Sequence, residues 1–314
     1  MWLIKAEEET DPEYGKRPED RTVQELIRSS VVIVDKHSGP TSHQITAWLK
    51  EIFKIDKAGH SGTLDPSVTG VLPVALGNAT KAMPFLMGLS KEYVGTMHLH
   101  KEIDPEILRK EALKFIGKIV QVPPVRAAVA RKPREREIYF FDILEIQGKD
   151  VLFHVKTEAG TYVRKLCHDL GVSLGIGAHL SQLRRIKVGN FTEKQSHSLL
   201  EIKDACEFWK EGDEKVLREI LIPVEHAILH VKGVFVKDSV IGRIAHGSPV
   251  YVSGLVRIQK GIEKDETIAV YSLKEELVAL GIAKMSSKEM FEKNKGLAIR
   301  TDRVFIEKGI YPKV

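Results

Sequence analysis

Residues 59–66, Gly-His-Ser-Gly-Thr-Leu-Asp-Pro, constrain this chain more than any other stretch. Two glycines and a proline in eight positions make a turn, not a helix or a strand. The glycines permit positive φ or a close backbone approach. Pro66 pushes Asp65 toward an extended conformation, so one carboxylate is set at the edge of a tight, stiff loop. Chemistry depends on such placement, because a side chain on a floppy loop holds no near-attack geometry. The plainer reading of the same residues is an Asx-type turn in which Asp65 caps its own backbone.

Around this loop, short apolar runs alternate with helical patterns. Residues 31–34 (Val-Val-Ile-Val) read as a buried strand, followed by a turn at 36–40. Thr41 or Ser42 then fits an N-cap, with Ile45, Trp48, Leu49 and Ile52 at helical spacing. Residues 70–77 predict an apolar strand, 80–86 the start of a helix, and 91–100 a half-buried strand. Asp104-Pro105 caps a helix to 115. Residues 119–137 read as a basic, proline-bearing loop, and 138–146 pairs with 151–157 across 148–150. Gly160 and Thr161 open a helix that carries Tyr162 and ends at Gly171. From about residue 231 the texture changes to short strands at 231–236, 250–258, 267–272, 277–283 and 297–305, a small β-rich domain partly closed like a barrel. Residues 1–29 are charge-rich and carry Pro12 and Pro18; they fit an extension that docks elsewhere on the chain or is partly disordered.

Composition narrows the class. No apolar run is long enough to span a bilayer, and Lys5 with an acidic run directly after Met1-Trp2-Leu3-Ile4 is no signal peptide. Two cysteines, Cys167 and Cys206, exclude a disulfide framework or a four-cysteine zinc site, so a cytoplasmic location is expected. The net charge of +5 is weak evidence for nucleic acid. Local clusters say more: Arg126, Arg131, Lys132, Arg134 and Arg136, then Arg184, Arg185 and Lys187. A solvated face is the plainer account of such runs. Phosphate-binding, dinucleotide-binding, nucleophile-elbow and zinc-helix motifs are all missing from the sequence. His168-Asp169 reads as structural, because adjacent helix positions do not face one another.

Several stretches together resemble the TruB family of pseudouridine synthases. They are the loop 59–66, Lys91-Glu92-Tyr93, Gly160-Thr161-Tyr162-Val163-Arg164 and Leu183-Arg184-Arg185. Asp35-Lys36 with Gly39-Pro40-Thr41-Ser42 matches the family's first motif, although His37 stands where a proline is usual. The N-terminal extension, the short passage from His100 into a helix, and a tail that looks like a PUA domain resemble the archaeal dyskerin branch. The resemblance implies an α+β fold: a mixed, largely antiparallel sheet with flanking helices, plus a small β-barrel-like PUA domain. It implies residues 1–29 as an extension packing on the PUA domain, 30–228 as the catalytic domain, and 229–314 as the PUA domain and tail.

It further implies roles for single residues. Asp65 would be the nucleophile, Arg164 its ion-pair partner, and Tyr93 the residue that stacks on the base and assists proton removal. Lys36, His60, Tyr162 and Leu183 would bind substrate. Arg126, Arg131, Lys132, Arg134 and Arg184, with Arg243 and His246 in the PUA entry at 242–249, would contact RNA. No metal or organic cofactor is implied. The implied partners are an H/ACA guide RNA, substrate rRNA or the T-loop of tRNA, a small zinc-ribbon nucleolar-type protein, a Gar-type protein and a kink-turn-binding protein. A guide-free tRNA synthase and a non-catalytic RNA scaffold are the alternatives that the sequence leaves open.

Overall fold

The β-branched run after residue 30 forms the strand Ser30–Lys36, buried at every position but Asp35. A computed structural model describes residues 1–122 and 132–312. Ser30–Lys36 pairs antiparallel with Thr69–Leu76, which is itself buried from Gly70 onward. Burial on both faces is why the two strands read as continuous apolar runs rather than as alternating ones. Between them, the helix Ser42–Phe53 starts with a capping box: the Thr41 hydroxyl accepts from Gln44 N, and Gln44 Oε1 accepts from Thr41 N.

These strands belong to a ten-stranded mixed sheet. Its order is Ile222–Pro223, Ser30–Lys36, Thr69–Leu76, Ala178–Val188, Lys91–Leu99, Asp150–Thr157, Arg134–Gln147 and Gly117–Gln121, with Ala58–His60 and Phe191–Thr192 paired off that path. Among the described residues its pairings are antiparallel except one: Thr69–Leu76 runs parallel to Ala178–Val188, through Thr69 with Arg184 and Gly70 with Arg185. Gly70 permits this junction. Its φ is +103°, and a Cβ there would stand 2.2 Å from the Arg185 carbonyl oxygen. In Lys91–Leu99 burial alternates along the whole length, with Tyr93 on the buried face and opposite Arg185. The helices Ser42–Phe53 and Val163–Ser173 complete the main core through Ile45, Leu49, Leu166 and Leu170.

A second sheet of seven strands runs Trp2–Ile4, Leu255–Gln259, Gly233–Val236, Thr267–Tyr271, Leu277–Ala283, Leu297–Val304 and Val250–Tyr251. A separate apolar cluster joins the two sheets, with Val31, Ile33 and Val71 facing Ala269, Leu280 and Phe305. Beside it the buried Glu225 accepts two bonds from Arg21, at 2.8 and 3.1 Å, and one from Leu277 N at 2.9 Å. Lys81 Nζ donates to Val304 O and Arg303 Nη1 donates back to Lys81 O, at 2.7 and 2.6 Å.

Several boundaries differ from the sequence expectation. Residues 119–121 and 134–137 are not loop; Gly117–Gln121 pairs with Arg134–Gln147 from Gly117–Ile138 to Gln121–Arg134. An edge hairpin open to solvent tolerates charge at alternate positions, so apolar content gives no signal there. The next turn narrows to Gly148-Lys149, since Asp150 already pairs with Gln147. Tyr162 is the extended residue before the helix Val163–Ser173, and Gly171 lies inside that helix, packed on Ala178. Residues 77–82 form a 3-10 turn ahead of the helix Met83–Met87. The 250–258 run is split by the turn Val252–Gly254, and the short helices Asp238–Ile244 and Ser287–Glu292 were not foreseen. No helix among the described residues is long and apolar enough to cross a membrane.

The Arg21–Glu225 pair yields a stability test. Arg21→Ala leaves Glu225 buried without its cation, an arrangement that costs roughly 3–5 kcal/mol. A clear drop in melting temperature is expected, whereas Lys16→Ala, at an exposed pair, leaves it nearly unchanged.

Candidate active site

The loop 61–68 is pinned along its length. Ser61 N donates to Pro73 O at 2.9 Å, Gly39 N to Pro66 O at 2.9 Å, and Val68 N to Asp65 O at 3.0 Å. The buried Ser42 hydroxyl accepts from Leu64 N and donates to Leu64 O, at 2.9 and 3.2 Å. Gly62 has φ +136°, a conformation that a side chain would strain. Lys36 Nζ donates to His37 O, Pro66 O and Val68 O at 3.0, 3.0 and 2.8 Å. Lys36, expected to contact substrate, is fully buried, and all three of its donors go to backbone carbonyls that hold the loop. Burial pulls its ammonium below the usual lysine range, and the nearby charge of Asp65 works against that.

Asp65 is left outside this framework. Its side chain is 52% exposed and its Oδ2 accepts from Arg164 Nη2, itself 58% exposed. An exposed ion pair adds only about 0–1 kcal/mol to stability. Arg164 also sits in the first turn of Val163–Ser173, the end of a helix where the dipole disfavours a cation. Neither fact explains the pair as a device for folding. Tyr162, next to the helix start, is fixed through its backbone by Gln121: Tyr162 N donates to Gln121 Oε1 at 2.9 Å, and Gln121 Nε2 donates to Tyr162 O at 3.2 Å. Gln121 was missed because its stretch read as loop.

Beneath the loop lie two further buried cations that the sequence reading did not single out. Arg185 is 1% exposed; Nε donates to Val71 O at 2.7 Å and Nη2 to Gly62 O at 3.4 Å. Burial lowers its pKa, and the Tyr93 phenol against the guanidinium offsets part of that cost. Lys91 Nζ donates to Met87 O and Leu89 O, both at 2.6 Å. Burial first, then the charge of Arg185, lowers Lys91 to about 8. The signal for Arg185 was available: in a Leu-Arg-Arg run on a strand, alternation sends one arginine inward.

Of the remaining candidates, His60 packs edge-on against His43, with ring centroids 4.8 Å apart. Burial, followed by the charges of His43 and Arg185, holds His60 below the ordinary histidine range, so its ring is neutral at neutral pH. Leu183 is half-buried and packs against Gly95. Arg184 is committed elsewhere, to both oxygens of Asp35 at 3.0 Å and to Glu193. Lys132 and Arg134 are exposed, whereas Arg126 and Arg131 lie outside the described residues. Arg243 and His246 are exposed at the end of Asp238–Ile244, far along the chain from the loop and on the second sheet's side. Asp169 pairs with Lys165 on its own helix. Among the described residues no His, Cys, Asp or Glu group is placed to hold a metal ion. Burial pushes the Cys167 thiol up to about 12 and Cys206 up to about 11, which makes both inert.

The sequence matches four family profiles in order: "DKCLD (NUC011) domain" over residues 1–46, "TruB family pseudouridylate synthase (N terminal domain)" over 50–163, "tRNA pseudouridylate synthase B C-terminal domain" over 164–229, and "PUA domain" over 232–305. It is 48% identical to the "Probable tRNA pseudouridine synthase B" of Nanoarchaeum equitans, across 100% of this chain and 90% of that one. The chain belongs to the archaeal dyskerin-type branch of the TruB pseudouridine synthases. A Methanopyrus kandleri relative of the same description is 49% identical, across 99% of this chain and 92% of its own. Among solved structures, a chain of "Crystal Structure of a Cbf5-Nop10-Gar1 Complex" matches with TM-score 0.93 and 44% identity, covering 100% of this chain and 96% of that chain. A chain of "Structure of H/ACA RNP bound to a substrate RNA containing 2'-deoxyuridine" matches with TM-score 0.92 and 43% identity, covering 100% and 96%. The chain is therefore an RNA pseudouridine synthase with the expected α+β fold and a PUA domain.

The buried lysine of this dyskerin-type synthase makes its stability depend on pH. Lys91 releases its proton near 8 when folded and near 10.5 when unfolded. Between those values the unfolded chain binds more protons, so stability rises with pH; below 8 both states are charged and the burial penalty is present in full. From pH 8 to 10, denaturant titrations should show the wild type gaining on Lys91→Met by on the order of 2–3 kcal/mol.

Proposed function

We propose that this synthase isomerises uridine in rRNA under the direction of an H/ACA guide RNA, with Asp65 as nucleophile. The carrying observation is the ion pair itself: a loop fixed by buried bonds presents one exposed carboxylate to the Arg164 guanidinium. During the reaction the N1–C1′ bond breaks, the base turns, and a C5–C1′ bond forms; the C5 proton leaves and N1 takes one up, so the product is an isomer and no oxidant or reductant enters. Asp65 adds to C1′ as the N1–C1′ bond breaks and leaves as the C5–C1′ bond forms, and Arg164 orients it. Tyr93 stacks on the base and assists the proton removal. Tyr162 and Leu183 line the pocket, and the neutral His60 sits beside the unstacked nucleotide. Taking the base out of its stack costs about a few kcal/mol, which contacts to the RNA backbone offset. Lys132 and Arg134, with Arg126 and Arg131 ahead of them in the chain, and Arg243 and His246 at the end of the helix Asp238–Ile244, supply those contacts. Arg184, oriented by Asp35 and Glu193, adds to them.

The same reading divides the chain into an extension over 1–29, a catalytic domain over 30–228 and a PUA domain with its tail over 229–314. The partners are the guide RNA, a zinc-ribbon nucleolar-type protein, a Gar-type protein and a kink-turn-binding protein, in the cytoplasm. The likeness to the chains of the two assemblies described above supports this. A second reading, guide-independent action on the tRNA T-loop, is favoured by the description of the archaeal relatives as tRNA synthases.

Two measurements test these assignments. Asp65→Asn should abolish isomerisation and leave RNA affinity nearly unchanged; surviving conversion removes the nucleophile role. Isomerisation of an rRNA target should need the guide; full activity without guide on every RNA tried makes the tRNA reading the better one.

A further inference from the structure

We propose that Arg185 is a positioning residue of this site: its guanidinium fixes Tyr93 relative to the loop that presents Asp65. The inference rests on the roles given to Asp65 and Tyr93 above. Arg185 is 1% exposed, and among the described residues no carboxylate pairs with it. A buried cation without a counter-charge is expensive, and an apolar side chain of similar volume serves a core better. Stability therefore gives no reason for arginine here, and its contacts do.

Those contacts reach the three parts of the site that must keep one geometry. Gly62 O is in the loop, three residues before Asp65; Val71 O is in the strand that leaves the loop; and Tyr93, on the buried face of the neighbouring strand, stands opposite Arg185 in register. The backbone register sets this up, because Arg185 is opposite Tyr93 on one side and opposite Gly70 on the other. A guanidinium is a rigid planar fork, so contacts at several of its nitrogens set directions as well as distances. Lysine at this position keeps the charge and loses the fork. Gly62 lies close to both buried cations: a Cβ there would lie 3.8 Å from Arg185 Nη1 and 3.9 Å from Lys91 Cε. Tyr93 and Asp65 thus do not sit on independent supports. Displacing one part by about 1 Å is enough to cost roughly a hundredfold in rate.

The test compares Arg185→Lys, Arg185→Gln and Tyr93→Phe, alone and combined, in the full chain with guide and target RNA. Melting curves report folding, and single-turnover isomerisation separates turnover from binding. The expected result is a folded Arg185 variant with turnover down by about a hundredfold and RNA affinity close to wild type. Tyr93→Phe alone should also slow turnover, and the double variant should be little slower than the worse single one, because the two side chains act as a unit. Wild-type turnover in a folded Arg185 variant overturns the proposal. So do losses that multiply, or a Tyr93→Phe variant at full rate. Failure of both Arg185 variants to fold overturns it as well, in favour of a role in the fold alone. Activity surviving in Asp65→Asn defeats the parent reading instead, so the two failures are distinguishable.

Discussion

Three cations are buried around one loop, and each donates to backbone carbonyls. Lys36 bonds the far side of the loop at Pro66 and Val68, Arg185 bonds its near side at Gly62 and Val71, and Lys91 bonds the preceding turn at Met87 and Leu89. Ammonium and guanidinium groups out of water must find acceptors, and carbonyls at fixed positions are what the loop offers. The loop is thereby held from inside, and the Asp65 carboxylate is not spent on holding it.

This division of labour extends through the fold. The parallel junction between Thr69–Leu76 and Ala178–Val188 brings Arg185 under the loop, and the antiparallel partner Lys91–Leu99 delivers Tyr93 beside it. The helix Val163–Ser173 closes the core with its apolar face and carries Arg164 on its first turn, against its own dipole. The cations that hold the loop are buried and bonded to backbone carbonyls, while the Asp65–Arg164 pair stays half open to solvent. The second sheet is tied to this body by an apolar cluster and by the bond from Leu277 N to Glu225, which Arg21 pairs.

Much of this was legible in the residues. The turn chemistry of 59–66 located the loop, and the β-branched run and the Thr41 cap located the strand and helix beside it. The alternating run at 91–100 read as a half-buried strand, and in the structure burial alternates along Lys91–Leu99 with Tyr93 on the buried face. What was not legible depends on long-range partners. Lys36 and Arg185 look like surface charges until the strands that enclose them are known. Gln121 lies on an edge hairpin whose exposed charges hide its pairing. Arg184 and Arg185 are adjacent in sequence, yet one meets Asp35 and Glu193 and the other enters the core.

The central claim is that this framework holds the Asp65 carboxylate against the sugar–base junction of an unstacked uridine. A crystal structure of the assembled synthase with guide and an unreactive target RNA measures it directly. The account predicts a carboxylate oxygen about 3–3.5 Å from C1′ of the target nucleotide, with Arg164 still paired and Tyr93 against the base. A target base seated in the pocket with Asp65 turned away from C1′, toward Arg164 alone, would contradict it.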